Sequence, residues 1–260
     1  MKIASWNINS IKVRLPLVEE WVRETEPDII LLQETKCQNE AFPSEFIEDL
    51  GYNVAIHGQK TFNGVAILSK FPLEDMIYNL PNFEDPQARY IEAFTGGVRV
   101  ASVYAPNGSM VGSEKYSYKL SFYKHLEEHL KTLLAFNEPL IVGGDYNVAP
   151  TDADVHDPEK WTGSVLVSDP ERASFQAILD AGLYDAVRAL YPEDRANKED
   201  WYTWWDYRQG SWRRNAGLRI DHLLLSHQAK ERLQSLGIDK SLRSKERPSD
   251  HAPIWCALQS

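Results

Sequence analysis

The chain has 260 residues, of which 43% are hydrophobic, so it can bury a substantial core without covalent cross-links. Its two cysteines, Cys37 and Cys256, lie far apart in unrelated contexts, which argues against a disulfide framework and against a thiolate metal site. The 28 basic and 38 acidic residues give a net charge of −10, which by itself disfavours a polyanionic partner.

Short apolar runs alternate with amphipathic stretches along the chain, with no linker-like or low-complexity segment, so we expect one domain spanning residues 1–260. Strands are predicted, in chain order, at residues 2–8, 28–33, 64–69, 91–94, 98–104, 139–143, 219–226 and 253–258. Gly96 and Gly97 predict a hairpin between the fourth and fifth of these strands, because glycine enters positive φ without a steric cost.

Helices are predicted where hydrophobic residues recur with a 3.6-residue period. The three stripes are Val18, Trp21 and Val22, then Leu126, Leu130, Leu133 and Leu134, then Phe175, Ile178 and Leu179. Asp169 is predicted to cap the third helix, with Pro170 in its first turn and Gly182 at its end. Hairpins mixed with helices predict an α+β fold of largely antiparallel sheets covered by helices.

Two segments near the C-terminus are basic although the whole chain is acidic. Residues 206–219 carry four arginines and one aspartate, and residues 240–247 carry four basic residues and one glutamate. Each segment therefore has a local charge of +3. They form either a positive stripe that attracts phosphates or ordinary solvated loops, and charge alone leaves both interpretations open.

Polar residues recur at the ends of six predicted strands. In "GGDYN", Asp145 and Asn147 are two residues apart, which in a strand places both on one face while Tyr146 faces away. The preceding Gly143 and Gly144 allow backbone or ligand to approach closely. The other strand ends contribute Asn7 and Asn9, Glu34 and Lys36, Tyr104 and Asn107, Asp221 and His222, and Asp250 and His251.

Each of these strand ends also has an ordinary interpretation as a turn, a surface charge or a core residue. Their recurrence predicts a shared site if the strand ends converge. Carboxylate and amide oxygens without cysteine favour Mg²⁺, or Mn²⁺, over zinc. Such a site suits phosphodiester hydrolysis, in which a carboxylate deprotonates water and imidazole, amide and phenol donors stabilise negative charge. Neither a nucleophile elbow nor a P-loop occurs, so acyl transfer and nucleotide-driven chemistry lack support.

Eight stretches together resemble a known family. They are "WNINS", "LQETK", "GVAILSK", "YAPNG", "GGDYNVAP", "TWWDYR", "GLRIDH" and "SDHAPI". In this order they resemble the exonuclease III type of abasic-site endonucleases, within the endonuclease/exonuclease/phosphatase superfamily. The resemblance extends over essentially the whole chain. It implies a four-layer α/β/β/α sandwich of two mixed, mainly antiparallel sheets flanked by helices.

The resemblance also implies the metal ligands. Glu34 corresponds to the principal Mg²⁺ ligand, with Asn7 and Asp250 beside it. A second metal position, which the sequence leaves open, would use Asp145, Asn147 and His251. Asn9 stands where another branch of the family has aspartate, which would weaken metal binding there.

The catalytic roles follow from the same resemblance. Asp145 corresponds to the residue that activates the attacking water, assisted by Asn147. His251 corresponds to the phosphate contact that stabilises the transition state, and Asp221 orients it. Tyr104 matches the active-site tyrosine of the family.

Substrate recognition is expected in residues 202–219. This segment offers flat or apolar surfaces on Trp204, Trp212 and Leu218, and phosphate contacts on its four arginines, Arg208 among them. Trp205 is expected in the core. Further backbone or phosphate contacts are expected from Asn107, Arg89, Lys115 and Lys119. Leu218 stands where another branch has a large aromatic residue, which leaves open the balance between cutting at abasic sites and trimming 3′ ends.

The leading hypothesis is a Mg²⁺-dependent DNA-repair hydrolase that cuts double-stranded DNA 5′ to abasic sites and acts on 3′ ends. One alternative is a phosphatase or phosphodiesterase of the same superfamily that acts on a small or lipid phosphate ester. A second is a catalytically inactive DNA-binding protein, which the presence of Glu34, Asp145, Asp250 and His251 disfavours. Without a signal-peptide pattern or a long apolar window, we expect a cytoplasmic protein with no membrane contact, and a monomer by default.

Overall fold

The computed structural model describes residues 1–193 and 197–259, which contain twelve strands and seven α-helices. The strands are β1 (Lys2–Asn7), β2 (Ile29–Gln33), β3 (Asn53–His57), β4 (Val65–Ser69), β5 (Glu74–Tyr78), β6 (Tyr90–Thr95), β7 (Val98–Tyr104), β8 (Leu140–Asp145), β9 (Tyr184–Asp185), β10 (Asp221–Leu225), β11 (Leu233–Ile238) and β12 (Ile254–Leu258). The helices are α1 (Ile11–Thr25), α2 (Ser44–Asp49), α3 (Glu114–Leu134), α4 (Pro158–Trp161), α5 (Asp169–Asp180), α6 (Ala186–Leu190) and α7 (His227–Lys230).

The strands form two six-stranded sheets that pack face to face. Sheet 1 has the order β11-β12-β1-β2-β4-β3, and sheet 2 has the order β5-β6-β7-β8-β10-β9. In the described ranges, β1 pairs with β2 and β7 with β8 in parallel, and the remaining pairs are antiparallel. Across the interface between the sheets, β1 contacts β8 and β2 contacts β7.

Both faces of the central strands are covered, which explains their continuous apolar runs. In β2, Ile29 and Leu31 belong to the core between the sheets, whereas Ile30 and Leu32 pack in the layer that contains Trp21 of α1. The outer face of sheet 2 packs in the same way against α3 and α5. The four layers are therefore helix, sheet, sheet and helix, and the predicted α/β/β/α sandwich is confirmed.

All eight predicted strands are present, with ends that differ by at most two residues. The predicted hairpin is confirmed as well, since Gly96 and Gly97 have φ of 57° and 81°. Strands β3, β5, β9 and β11 were not predicted. In β5 and β11 the pairing shifts register, and β9 has only two residues, so none of these three shows a regular two-residue alternation.

The predicted hydrophobic stripes lie on α1, α3 and α5 and face the sheets. The predicted cap of α5 was wrong by one residue. Ser168 is the N-cap, and its side chain and that of Glu171 form a reciprocal capping box, with Asp169 as the first helical residue. Within the described ranges, the structure contains no helix with the length and hydrophobicity needed to span a bilayer.

Candidate active site

The polar strand ends converge because of the sheet topology. Since β1 and β2 are parallel, Asn7 lies opposite Gln33 and Glu34 follows directly. In sheet 2, Asp145 at the end of β8 pairs with Tyr104 at the end of β7 and with Asp221 at the start of the antiparallel β10. The packed sheets bring these ends to one edge of the sandwich, as predicted.

The segment before β12 reaches the same edge, because β12 runs antiparallel to β1. Two hydrogen bonds fix its position. Ser249 Oγ donates to the Asn7 carbonyl oxygen at 2.7 Å, and Trp6 Nε1 donates to the His251 carbonyl oxygen at 3.2 Å. Asp250 and His251 are therefore held beside the end of β1.

The chain turns in the same way at the ends of β1 and β8. Asn9 N donates to Asn7 Oδ1 at 3.1 Å, and Asn147 N donates to Asp145 Oδ1 at 2.9 Å. Both second residues have positive φ, 47° for Asn9 and 50° for Asn147, which asparagine tolerates better than most residues. The prediction that each pair lies on one face of a strand was thus wrong in its local geometry. An Asx turn follows each strand instead, and at β8 it brings the side chains of Asp145 and Asn147 together.

The amide of Asn7 joins carboxylates from the two sheets. Asn7 Nδ2 donates to Glu34 Oε1 at 2.9 Å and to Asp145 Oδ2 at 2.8 Å. Asn147 Nδ2 lies 3.3 Å from the same Asp145 oxygen, and Asn107 Nδ2 donates to Asn147 Oδ1 at 3.2 Å. Glu34 and Asp145, separated by more than 100 positions in the chain, therefore belong to one hydrogen-bonded site.

His251 lies between two carboxylates. Its Nδ1 is 2.8 Å from Asp221 Oδ2, and its Nε2 is 3.7 Å from Asp145 Oδ2. Burial alone lowers the pKa of His251, but Asp221 and Asp145 outweigh burial and raise this pKa to about 10. The imidazolium is therefore the dominant form at neutral pH, with Nδ1 donating to Asp221.

Asp145 has an unusual pKa for an aspartate. Burial raises its pKa to about 7, although the His251 cation and the hydrogen bonds from Asn7 and Asn147 oppose this shift. A carboxylate with a pKa near neutrality can accept a proton from water more readily than an ordinary aspartate.

Asp250 directly precedes His251 and has both carboxylate oxygens occupied. Asn9 Nδ2 donates to Asp250 Oδ1 at 2.9 Å, and Trp204 Nε1 donates to Asp250 Oδ2 at 3.0 Å. Burial works to raise the pKa of Asp250, but the His251 cation and these two hydrogen bonds hold it below the usual value. Asp250 is therefore ionised at neutral pH.

Tyr104 lies at the end of β7, beside the carboxylates. Burial raises the pKa of its phenol well above the usual value, and the negative charges of Glu34 and Asp145 act in the same direction. The Arg89 guanidinium lies over the tyrosine ring, 4.8 Å from its centroid. The phenol stays protonated at neutral pH and can act as a hydrogen-bond donor.

The side chains at this edge fit a hard divalent cation. Asp145, Asp221 and His251 offer ligand atoms within 4.8 Å of one another. In the described part of the chain, Asp221 Oδ1 is buried and accepts no hydrogen bond, so it has an unused lone pair. The other possible ligand atoms at this edge are carboxylate and amide oxygens, which Mg²⁺ and Mn²⁺ prefer.

Two cavities flank this edge. One of about 360 Å³ is lined by Tyr104, Asn107, Arg89, Lys115 and the exposed Phe62, among others. The other, of about 500 Å³, is lined among others by Trp161, Trp204, Arg208 and Arg214. As expected, Trp204 faces a cavity whereas Trp205 is fully buried. Trp212 packs edge-on against Trp205, with 4.8 Å between ring centroids.

Comparison with known proteins is consistent with this geometry. The profile of the Endonuclease/Exonuclease/phosphatase family matches residues 4–251. Exodeoxyribonuclease III of Haemophilus influenzae is 38% identical to the chain, and the alignment covers 100% of both proteins. The chain belongs to this family.

Two solved structures resemble the chain over the full length of both chains. One is the 3′ phosphatase NExo from Neisseria, bound to a product DNA hairpin, with 41% identity and a TM-score of 0.96. The other is an AP endonuclease from Archaeoglobus fulgidus, with 36% identity and a TM-score of 0.95. The chain is a hydrolytic DNA-repair nuclease of the family, and the alternative of a small or lipid phosphate substrate is not favoured.

Several residues expected at the family's substrate surface are buried in this chain. Leu218 is fully buried in a cluster with Val155 and Ile220, so its side chain offers no surface to a substrate. Arg219 is also buried, and its guanidinium pairs with Asp154 at 2.6 Å and with Asp185 at 2.7 Å.

Residues 240–247 and Lys119 are also less available to DNA than expected. Arg243 is buried and donates to the Trp205 carbonyl oxygen, and Lys245 forms an ion pair with Glu20. Lys119 is buried in an ion pair with Glu171, so it cannot contact a DNA backbone. Charge counts along the sequence therefore overstated the free positive surface.

Sequence reasoning missed the supporting residues of the family site. Thr203 Oγ1 accepts hydrogen bonds from the backbone N–H groups of Ile220 and Asp221, both at 3.1 Å. Lys36 Nζ donates to Asn9 Oδ1 at 2.6 Å and pairs with Glu34 at 2.8 Å. Lys36 was noted at the end of its strand, but the sequence contains no signal for its partners, since they depend on the converging loops.

Proposed function

We propose that the chain is a Mg²⁺-dependent nuclease, also active with Mn²⁺, that nicks double-stranded DNA 5′ to abasic sites and removes nucleotides or blocking groups from 3′ ends. The observation that carries the proposal is the Asn7 bridge between Glu34 and Asp145, next to the Asp221–His251 pair. This arrangement supports assigning Glu34 to the cation, Asp145 to the base and His251 to the phosphate, because the three side chains lie close together.

The cation would be held by Glu34, with Asn7 and Asp250 beside it. A second position would use Asp145, Asn147 and His251; a cation there would displace the Nε2 proton of His251, so this position is an alternative to the phosphate contact of His251 described below. The bound cation supplies positive charge that polarises the phosphoryl group and shields the leaving oxygen. Glu34 is suited to this role because its side chain, unlike that of Asp145, is partly exposed at the surface of the site.

Asp145 would take the proton of the attacking water. Its pKa of about 7 lies close to working pH, which is the favourable range for a general base. Asn7 and Asn147 donate to Oδ2 of this carboxylate, and the backbone of Asn147 donates to Oδ1, which together fix its plane.

His251 would stabilise the negative charge that develops on the phosphate. Its Nδ1 donates to Asp221, so Nε2–H remains to donate to a phosphoryl oxygen. The phenol of Tyr104 and the amide of Asn107 lie beside the site on the β7 side and would donate to the same phosphate.

The DNA would run across the site from one cavity to the other. Arg89 and Lys115 line the cavity beside Asn107, and Arg208 and Arg214 line the cavity beside Trp204. Trp204 and Trp212 would contact the displaced deoxyribose or its neighbours. Contacts of this kind compete with salt, so cleavage should weaken steeply as ionic strength rises.

The test uses a duplex oligonucleotide that contains one abasic analogue, and a second duplex that ends in a 3′-phosphate. We expect the first to be nicked on the 5′ side and the second to lose its phosphate, in each case with Mg²⁺ and not with a chelator. Well-folded protein that cleaves neither substrate would contradict the proposal. Hydrolysis of a small phosphomonoester alone would favour the alternative substrate class.

We further propose that the enzyme acts as a cytoplasmic monomer that binds double-stranded DNA without an obligate protein partner. The two buried, unpaired cysteines are compatible with a reducing compartment. Analytical ultracentrifugation of the protein, with and without the duplex, tests the oligomeric state.

A further inference from the structure

Lys119 is a fully buried lysine on the inner face of α3, below the loops that follow β7 and β8. Its ammonium donates to the carbonyl oxygen of Asn147 at 2.6 Å and to that of Asn107 at 3.2 Å. Its third partner is the carboxylate of Glu171. A lysine ammonium has three N–H donors, and each of them has an acceptor here.

Glu171 is equally constrained. Its carboxylate also accepts hydrogen bonds from the backbone N–H groups of Leu166 and Ser168 and from the Ser168 hydroxyl. A buried ion pair is costly to desolvate, so it is weak evidence of a contribution to stability alone. The full set of partners instead fixes the ammonium at one point in space.

The two carbonyl groups that Lys119 holds belong to the two asparagines of the proposed active site. Asn107 Nδ2 donates to Asn147 Oδ1, and Asn147 Nδ2 donates to the Ala105 carbonyl oxygen at 3.0 Å and lies 3.3 Å from Asp145 Oδ2. Asn147 also has positive φ, which asparagine tolerates, and the hydrogen bond to its carbonyl oxygen constrains this backbone conformation. Lys119 supplies that constraint from below the site.

The position of Lys119 in α3 supports a dedicated role. Tyr116, Lys119 and Tyr123 are spaced by three and four residues, so they lie on one face of the helix. Tyr116 Oη pairs with Ser168 Oγ at 2.6 Å, and Tyr123 Oη donates to the Tyr146 carbonyl oxygen. The N-terminal half of α3 therefore presents polar side chains to the loops around the site, whereas the C-terminal half presents leucines to the sheet.

We propose that Lys119 is a positioning residue that sets the geometry of Asn107 and Asn147 towards the substrate phosphate and Asp145. The proposal rests on the proposed function for its kinetic consequence. It predicts that loss of the ammonium lowers kcat much more than it raises KM, because DNA contacts remain while the reacting groups are misaligned. Misplacement by about 1 Å can cost about 100-fold in rate.

The central variant is the double substitution Lys119→Met with Glu171→Gln, which removes both buried charges together and avoids an unpaired carboxylate. We expect its kcat on the abasic duplex to fall at least tenfold, with KM changed less than threefold. The matched control is Lys124→Met, an exposed lysine of the same helix, which should retain the parent rate. Lys115→Met, at the cavity rim, should raise KM and leave kcat nearly unchanged. A folded double variant with the parent kcat would overturn the proposal.

Amide hydrogen exchange of the metal-free protein gives a readout independent of activity. We expect faster exchange in residues 105–108 and 145–148 of the double variant than in the parent, with unchanged exchange in β2 and β4. Equal exchange in both proteins would also overturn the proposal. If the parent fails to nick the abasic duplex, the proposed function fails, and hydrogen exchange alone then decides whether Lys119 holds the two loops.

Discussion

Asn7 and Asp145 lie on different sheets, and the 2.8 Å hydrogen bond from Asn7 Nδ2 to Asp145 Oδ2 joins these sheets at the site. The same nitrogen also donates to Glu34, so one amide sets the spacing between the proposed metal ligand and the proposed base. The geometry of the reaction therefore depends on how the two sheets pack. Mutations in the core between the sheets should affect activity as well as stability.

Replacement of Asp145 by Asn should remove the base and keep the shape of the site. We expect kcat to fall at least about 100-fold, because a positioned base typically contributes that much, while DNA affinity is retained. Single-turnover cleavage and filter binding of the abasic duplex measure the two effects.

The same substitution should raise the stability of the metal-free protein above pH 7. The pKa of Asp145 is higher in the folded state than in the unfolded state, so the ionised carboxylate destabilises the fold as pH rises from about 4 to about 7. Asparagine removes that charge. Denaturant titrations of both proteins at pH 8 test this, and a less stable variant would contradict the assigned direction.

Asp221→Asn should shift the alkaline limb of the pH–rate profile to lower pH. Asp221 is the main favourable partner that keeps the pKa of His251 at about 10, so its loss lowers that pKa. The protonated imidazole, which is proposed to donate to the phosphate, is then lost at a lower pH. Profiles of kcat/KM at fixed Mg²⁺ measure the shift, and an unchanged alkaline limb would show that His251 does not act as the cation.

His222 should make the fold acid-sensitive. Burial and the Arg219 cation, from which Nδ1 accepts a hydrogen bond, lower its pKa to about 4, although the hydrogen bond from Nε2 to the Val148 carbonyl oxygen acts in the opposite direction. As pH falls, the unfolded state therefore binds a proton at His222 before the folded state does. The free energy of unfolding decreases between about pH 6.5 and about pH 4. This lowering of the His222 pKa corresponds to a loss in the free energy of unfolding on the order of 3 kcal/mol.

The measurement is the free energy of unfolding at pH 7 and at pH 4.5 for the parent and for His222→Asn. We expect the variant to be less stable at pH 7, because it loses packing against Phe175, but to lose less stability on acidification. An equal loss on acidification in both proteins would assign the acid sensitivity to other groups.

Gly144→Ala should be strongly destabilising, whereas Gly143→Ala should be milder. A Cβ at Gly144 would lie 2.0 Å from the Val103 carbonyl oxygen, so β7 and β8 would have to separate at the site. At Gly143 the nearest atoms are the ends of the Leu31 and Leu223 side chains, which can move. We expect a cost of about 3 kcal/mol or more for Gly144→Ala and roughly 1 kcal/mol for Gly143→Ala, measured by denaturant unfolding.

The layers and the meeting of the strand ends could be predicted because they depend on local patterns. Continuous apolar runs mark strands covered on both faces, and polar residues at their ends mark one edge of the sandwich. Asp145, Asn147 and His251 were selected on this basis, and the structure brings them together. Their roles remain predictions for biochemical tests.

Burial of polar residues could not be predicted from local patterns. Arg219 and Lys119 are buried because each has carboxylate partners from distant parts of the chain, Asp154 and Asp185 for the first and Glu171 for the second. Leu218 is buried because its backbone pairs with both Trp204 and Val155. Such pairings depend on tertiary packing. Local charge and correspondence with the family carry no information about them, which is why the sequence predicted that these residues lie at the substrate surface.

The segment that carries Trp204 is also part of the backbone that supports His251. Trp204 bridges Leu218 on one side and His251 on the other, Trp205 N donates to the Asp250 carbonyl oxygen, and Ala252 N donates to the Thr203 carbonyl oxygen. If the proposed roles hold, changes to this segment should affect lesion preference and turnover together. Engineering for a new DNA lesion should exchange side chains in residues 203–205 and preserve the length of this segment, because an insertion or a deletion would displace His251, the proposed phosphate contact, together with the proposed recognition surface.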